Sequence, residues 1–144
     1  MDICPKLLNW QVQVEKGNMY NTPNTWGIYV AGLTFQWLKE QGGVAAMEKI
    51  NIEKAALLYD FLDNSKLFKA TAQPKYRSRM NVTFITGDPD KDAAFVKAAA
   101  GAGLANLKGH RSVGGMRASI YNAMPLEGVQ KLVAFMKEFE AQNA

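Results

Sequence analysis

Apolar side chains recur at regular intervals along most of the chain, and each interval predicts a type of secondary structure. The opening segment alternates apolar and polar residues, the period of a half-buried strand, at Leu8, Trp10, Val12 and Val14. Between residues 26 and 38 the apolar residues return at helical spacing, after a polar stretch in which Asn24 or Thr25 can cap a helix. Gly42-Gly43 can end that helix. Because apolar residues surround most of it, the helix requires neighbours on more than one side.

The rest of the chain predicts a small mixed set of helices and strands. Helices are expected from Val44 to about Leu62, with Lys54 on or beside the apolar stripe, from Asp88 or Asp90 to Gly101, and around Pro125 onward. Short strands are expected at 68–71, 80–86, 104–107 and 116–121. This order predicts an α/β (α+β) fold, in which helices cover one face of a short, mostly antiparallel sheet. We place a boundary near Gly42-Gly43, between an arm with a connecting helix (1–42) and a compact α/β domain (43–144).

Composition indicates a folded globule and excludes several classes of protein. At 48% hydrophobic and 21% charged residues the chain is too apolar for a disordered tail. No apolar run approaches the roughly 18 residues of a membrane span, and no export signal is visible, so we expect a cytoplasmic protein with no membrane partner. The single cysteine, Cys4, cannot form an internal disulfide, and with one histidine, His110, we predict no metal site.

The distribution of basic residues argues against nucleic acid as a partner. The net charge is +4, but the lysines are scattered, which is typical of a solvated surface rather than of a basic stripe. All four arginines, in contrast, fall in the second half of the chain. The chemistry of the sequence is therefore concentrated around those arginines.

The most informative stretch is residues 108–119, KGHRSVGGMRAS. It places His110, Arg111 and Arg117 within eight residues, between glycines that let a backbone turn sharply and approach a ligand. The planar guanidinium of arginine matches a carboxylate or phosphate with two parallel hydrogen bonds. If 116–121 is a strand, Arg117, Ser119 and Tyr121 share one face. The pattern predicts an anion site.

Each candidate also has a plainer interpretation. Arg111 and Arg117 can form ordinary salt bridges around a hairpin turn, and a single histidine is more often structural than catalytic. Asn21-Thr22-Pro23 offers donors before a helix start, where a phosphate is well held, but a capping loop explains it better. For Arg77 and Arg79 we favour surface salt bridges over a second basic site. The aromatic residues of the first helix fit a core or interface better than a stacking platform.

Four runs of residues resemble phosphoserine aminotransferases. They are NTP at 21–23, WLKEQGG at 37–43, RSRMNV at 77–82 and KGHRSVGGMRASIYNAMPLEGV at 108–129. The last run is long and specific. The resemblance extends over essentially the whole chain but corresponds to only the C-terminal two-fifths or so of such an enzyme, so we expect a fragment: the small C-terminal domain of an aspartate-aminotransferase-like fold.

The resemblance implies a function. Members of this family are homodimeric pyridoxal 5'-phosphate enzymes of serine biosynthesis that exchange an amino group between glutamate and 3-phosphohydroxypyruvate, giving 2-oxoglutarate and phosphoserine. By resemblance, Asn21 and Thr22 reach the cofactor phosphate of the other subunit. Arg117 holds the substrate α-carboxylate, and His110 and Arg111 help to hold the distal phosphate or carboxylate.

The resemblance also implies what this segment does not supply. Such enzymes anchor the cofactor on a lysine in a Gln-Lys-Asn-like context, expected before Asn21, and Lys6 and Lys16 have no such context. We therefore assign no catalytic residue and expect the isolated chain to be inactive. The alternative hypothesis is a free-standing anion-binding or interaction module that has lost catalysis.

Overall fold

The chain divides into two compact units, one ending at Gly43 and the other beginning at Val44. The structure is a computed structural model that describes residues 3–143. Residues 1, 2 and 144, at the outer ends of the predicted segments 1–42 and 43–144, lie outside the described residues. Within the described range no helix is both long and apolar enough to cross a membrane.

The first unit is helical. It contains a 3₁₀ turn (Lys6–Leu8), α1 (Trp10–Glu15) and α2 (Thr25–Glu40). The predicted helix start is confirmed, because Asn24 Oδ1 accepts a hydrogen bond from the Gly27 amide at 3.0 Å. None of the described residues of this unit is buried.

The predicted opening strand is wrong, because its apolar residues lie in the 3₁₀ turn and α1. Local hydrogen bonds favour the helix: Asn9 Oδ1 accepts from the Gln11 amide at 2.9 Å, and Gln11 Nε2 donates to Glu15 Oε1 at 3.0 Å. Every strand pairing of the described residues lies in the second unit. Alternation alone cannot form a strand where no ladder partner is available.

The second unit is an α/β fold, as predicted. Its elements are α3 (Gly43–Asn64), β1 (Lys69–Ala70), β2 (Asn81–Ile85), α4 (Pro89–Gly101), β3 (Met116–Ser119) and α5 (Leu126–Asn143). The strands form one antiparallel sheet in the order β1-β2-β3. Asp88 caps α4, as expected, by accepting from the Asp90 amide at 2.9 Å.

Two strand predictions need correction. Residues 104–107 are not a strand, because Asn106 takes a left-handed φ of 62° that interrupts an extended course. Within residues 3–143, pairing at this edge of β3 consists of the Lys108–Met116 bridge, with 2.8 Å bonds from the Arg117 amide to the Leu107 carbonyl and from the Gly109 amide to the Gly115 carbonyl. Strand β3 ends at Ser119, because the Ile120 and Tyr121 carbonyls both bond a lysine of α3.

The core lies on one face of the sheet, under the three long helices of the second unit. Phe68, Phe84 and Phe95 are fully buried, and the Phe68 and Phe95 rings meet edge to face with centroids 5.0 Å apart. Helix α5 adds Phe139, whose ring centroid lies 5.2 Å from that of Phe95. Because all this apolar surface is on one side, the opposite side of the sheet is free to be polar.

We call that opposite side the outer face. Alternation along β2 and β3 buries Val82, Phe84, Met116 and Ala118 and directs the intervening residues outward. By register, the outer face comprises Lys69, Thr71, Asn81, Thr83, Ile85, Arg117 and Ser119. It carries two cations and no carboxylate, which makes it a favourable surface for an anion.

Candidate anion-binding site

Arg117 lies near the middle of β3 on the outer face, as the predicted alternation requires. The flanking residues Met116 and Ala118 are each 1% exposed, and Arg117 pairs across the ladder with Thr83. The backbone at Arg117 is rigid, because β3 is hydrogen-bonded to β2 and packs against the core on its other face. A guanidinium held in this way is positioned before a ligand arrives.

The guanidinium of Arg117 has unused hydrogen-bonding capacity. Its Nε is buried and has no hydrogen-bond partner among residues 3–143. Within the same range the ion pairs are Arg77–Asp63 and Arg79–Glu48, so neither Arg117 nor Arg111 pairs with a carboxylate. A buried N–H that stays unbonded is costly, and a ligand carboxylate or phosphate can relieve that cost. The salt-bridge interpretation of Arg111 and Arg117 is therefore not supported.

The loop from Lys108 to Gly115 is a tight hairpin that needs its glycines. The Gly109 amide donates to the Gly115 carbonyl, and the Val113 and Gly114 amides both donate to the His110 carbonyl, at 2.8–2.9 Å. A side chain on Gly109 would place its Cβ 2.1 Å from the Gly114 oxygen, and one on Gly115 would lie 2.6 Å from Ile85 Cγ2. The glycines thus bring the loop close to the sheet.

His110 and Arg111 lie at the exposed tip of this loop. The Ser112 amide donates to His110 Nδ1 at 3.3 Å, and the Ser112 hydroxyl lies 2.7 Å from the same nitrogen. A neutral imidazole that accepts at Nδ1 carries its proton on Nε2. Ser112 therefore orients His110 as a hydrogen-bond donor, which suits an anion.

The loop and helix α4 line a cleft of about 750 Å³. Its basic residues are Lys97, Lys108, His110 and Arg111. Its one carboxylate, Asp92, accepts hydrogen bonds from the Thr86 amide and hydroxyl at 2.8 and 2.7 Å and is thereby occupied. The cleft can hold an anion, but Arg117 does not line it, so the structure brings His110 and Arg111 together and leaves Arg117 on the neighbouring face.

Asn21 and Thr22 belong to the first unit and are exposed, four and three residues before α2 begins at Thr25. Neither side chain makes a hydrogen bond within residues 3–143, while Asn24 alone caps the helix. A free amide and hydroxyl suit the oxygens of a phosphate. Asn24 therefore caps the helix, and the side chains of Asn21 and Thr22 are not needed for capping.

Arg77 and Arg79 form surface ion pairs, as the plainer interpretation predicted. Arg77 Nη1 donates to Asp63 Oδ2 at 2.7 Å, and Arg79 Nη1 donates to Glu48 Oε1 at 2.8 Å. The hydrogen bond from Arg77 holds the pKa of Asp63 below its ordinary value. The Arg77 guanidinium also lies 4.5 Å from the Tyr59 ring centroid, so this arginine is committed to the fold.

One residue that supports the site was missed in the sequence. Lys54 is 0% exposed, and its ammonium donates to the carbonyls of Ile120, Tyr121 and Met124 at 3.2, 2.8 and 3.0 Å. Burial lowers the pKa of this lysine. One turn earlier, Asn51 Nδ2 donates to Asn122 Oδ1 at 2.8 Å. A lysine within an apolar stripe was the available signal, and its effect is to fix the turn that follows β3.

Comparison with known proteins places these features in a family. A family model described as aminotransferase class-V matches residues 2–132. The phosphoserine aminotransferase of Ralstonia nicotianae is 59% identical over 142 residues, which are 99% of this chain and 38% of the relative. The chain therefore spans about two-fifths of the length of the curated relative that it matches.

Solved structures agree with the sequence comparison. The phosphoserine aminotransferase from Bacillus circulans subsp. alkalophilus superposes with a TM-score of 0.90 at 39% identity, over 100% of this chain and 40% of that one. A PLP-bound phosphoserine aminotransferase from Trichomonas vaginalis gives a TM-score of 0.84 at 44% identity, over 95% and 39%. The resemblance predicted from the four sequence runs is confirmed, and so is the α/β fold.

Proposed function

The chain belongs to the class-V aminotransferase family, and from this we propose that it is the C-terminal portion of a phosphoserine aminotransferase. The complete enzyme transfers an amino group between glutamate and 3-phosphohydroxypyruvate, with 2-oxoglutarate and phosphoserine as the other pair, in serine biosynthesis. We place it in the cytoplasm as a homodimer. The identity of 59% over 99% of the chain supports this function.

The single observation that carries the proposal is the unpaired guanidinium of Arg117. Its Nε is buried without a partner among residues 3–143, on a face that holds no carboxylate. Every substrate of the proposed reaction has an α-carboxylate, the group that a planar guanidinium binds in bidentate fashion. Arg117 on its strand would fix that carboxylate and with it the orientation of Cα.

We assign binding of the substrate's distal anionic group to His110 and Arg111. Phosphoserine and glutamate differ at this end, where one carries a phosphate and the other a carboxylate. The basic cleft beside the loop and the His110 orientation set by Ser112 suit either group. An exposed loop tip is also the geometry expected of residues that complete a site on another polypeptide surface.

The cofactor of the proposed enzyme is pyridoxal 5'-phosphate, which supplies the electron sink for the carbanion that transamination generates. Asn21 and Thr22 fit its phosphate group, because both are exposed and have unused donors. We propose that they hold the phosphate bound to the other subunit of the dimer. This chain's residues thus bind and orient, and we assign the anchoring lysine to none of them.

Substituting the two arginines separately tests the proposal. In an enzyme of the relatives' full length that carries this segment, Arg117→Lys keeps the charge and loses the two-pronged geometry. We expect kcat/KM to fall for phosphoserine and glutamate alike. The fall should correspond to a loss of about 2–4 kcal/mol of transition-state stabilisation. Arg111→Lys should affect the two donors unequally. A near-neutral Arg117→Lys, or an Arg111→Lys effect equal for both donors, would contradict the assignment.

A further inference from the structure

A second polar side chain, Asn81, stands beside Arg117 on the outer face. Its Oδ1 accepts hydrogen bonds from the Ser119 hydroxyl at 3.2 Å and from the Tyr121 hydroxyl at 3.3 Å. Its Nδ2 makes no hydrogen bond to any residue in the range 3–143. Two hydroxyls thus orient the amide and leave its donor end unused.

The sheet register brings this donor near Arg117. Asn81 lies opposite Ser119, and Thr83 lies opposite Arg117, so Asn81 and Arg117 are diagonal neighbours on adjacent strands. Diagonal pairs of an antiparallel ladder lie about 7–8 Å apart, within reach of a long side chain. The long side chain of Arg117 can therefore reach toward Asn81, and the two donors can bond the oxygens of one carboxylate through hydrogen bonds of about 2.9 Å each.

The neighbouring polar groups are already engaged. The Thr83 hydroxyl lies 2.5 Å from that of Thr71, which also donates to the Thr83 carbonyl at 3.3 Å. Asn81 Nδ2 and the Arg117 guanidinium are therefore the unengaged donors of this part of the face, within the described residues. Since the outer face holds no carboxylate, none of its side chains repels an anion through a negative charge.

We infer that Asn81 is a further substrate-binding residue, whose Nδ2 donates a hydrogen bond to the same α-carboxylate that Arg117 holds. This inference rests on the proposed function, because it takes the substrate class from it: α-amino and 2-oxo acids. Ser119 and Tyr121 act as positioning residues that keep the amide turned toward the ligand. An aspartate would accept the same two hydroxyls but would repel the carboxylate, so the amide is the selective choice.

Ligand binding to the 144-residue chain, followed by NMR, tests the inference. O-phosphoserine is the probe, and O-phosphoethanolamine, which lacks the α-carboxylate, is its control. We expect the Arg117 Nε–Hε and Asn81 Nδ2 signals to shift with phosphoserine and to move much less with the control ligand. Asn81→Ala should raise the dissociation constant for phosphoserine about tenfold or more, as expected for a lost hydrogen bond to a charged group.

Two further variants separate the loss of the Asn81 hydrogen bond from other effects on phosphoserine binding. Thr83→Val changes a polar residue of the same strand whose hydroxyl is already engaged, so we expect less than a twofold effect. Asn81→Asp preserves shape and both hydroxyl bonds and should bind at least as weakly as Asn81→Ala. If Asn81→Ala binds like Thr83→Val, the inference is wrong even where Asn81→Asp weakens binding through its charge. If the Arg117 signal itself does not respond to phosphoserine, the proposed function fails instead.

Discussion

The two units of this chain use their apolar residues in opposite ways. From Met47 onward the chain buries a cluster of aromatic and aliphatic side chains under three helices, whereas none of the described residues up to Gly43 is buried. Yet α2 is richly apolar, with Trp26 at 73% and Phe35 at 67% exposure. A helix of sixteen residues gains most of its stability from packing, so the apolar side chains of α2 are expected to pack against another surface.

The two units, one with a buried core and one without, carry different residues of the predicted site. The second unit holds the sheet, the core and the predicted carboxylate and distal-anion residues, and it is stabilised by its own packing. The first unit carries Asn21 and Thr22 beside an unpacked helix, which is the arrangement expected of a segment that completes a neighbouring surface.

Truncation of a core side chain in the second unit should destabilise the chain more than any other change considered below. Phe95 is fully buried, with the Phe68 and Phe139 ring centroids at 5.0 and 5.2 Å. Phe95→Ala should lower the free energy of unfolding by about 3–5 kcal/mol in urea denaturation. At a protein concentration low enough to keep the chain monomeric, Trp26→Ala, the matched aromatic truncation in α2, should change it by less than about 0.5 kcal/mol. Similar losses from both substitutions would mean that α2 is packed and that the contrast is wrong.

The next effect concerns the buried lysine. Lys54→Met keeps the apolar stem and removes the hydrogen bonds to three carbonyls, so the free energy of unfolding should fall by about 2–4 kcal/mol. Lys49→Met, at an exposed position of the same helix, is the control and should be near neutral. Hydrogen exchange at residues 120–124 should accelerate only in Lys54→Met. Unchanged exchange there would refute the view that Lys54 fixes this turn.

The exposed helix predicts self-association of the 144-residue chain. An apolar patch of this kind is normally an interface. Sedimentation velocity should report a species larger than the 15.9 kDa monomer, and replacing Trp26 and Trp37 by glutamine should shift it toward monomer. Lys39→Gln on the same helix is the control. A monodisperse monomer with fully buried tryptophan emission would show that α2 folds back on its own chain.

The Asp63–Arg77 pair should make a small, pH-dependent contribution to stability. The hydrogen bond from Arg77 lowers the pKa of Asp63 in the folded state, so the pair contributes stability above the unfolded pKa of about 4. That contribution is lost as the pH falls from about 4 through the lower folded value. Asp63→Asn should therefore flatten the acid limb of the stability profile, while Asp60→Asn, an exposed neighbour, should not. Equal profiles for the two variants would contradict the assignment.

Much of the fold could be predicted from periodicity, and the failures have physical causes. Helices α3 to α5 and strand β2 follow patterns of residues that they bury, and α2 begins where its Asn24 cap predicts. The opening segment failed because alternation specifies a face and does not supply a ladder partner. The 104–107 strand failed because a single residue, Asn106, turns left-handed, and nothing in the pattern marks it.

The site was predictable to a similar degree. The outward placement of Arg117 follows from a two-residue period, and the glycine loop from its composition. The hydrogen-bond partners of Lys54 and Asn81 could not be predicted from sequence, since they lie 38 to 70 residues away along the chain. Long-range hydrogen bonds of this kind depend on the packed structure rather than on any local pattern.

Exchanging the matching segment of a relative is the decisive test of the proposed function. The segment of the Ralstonia nicotianae enzyme that matches this chain would be replaced by it, and transamination of phosphoserine with 2-oxoglutarate would be measured beside the 144-residue chain alone. We predict that the hybrid keeps kcat/KM within about tenfold of the parent, whereas the chain alone shows no turnover. A well-folded hybrid that binds cofactor but does not turn over phosphoserine would contradict the account and favour an anion-binding module that has lost catalysis.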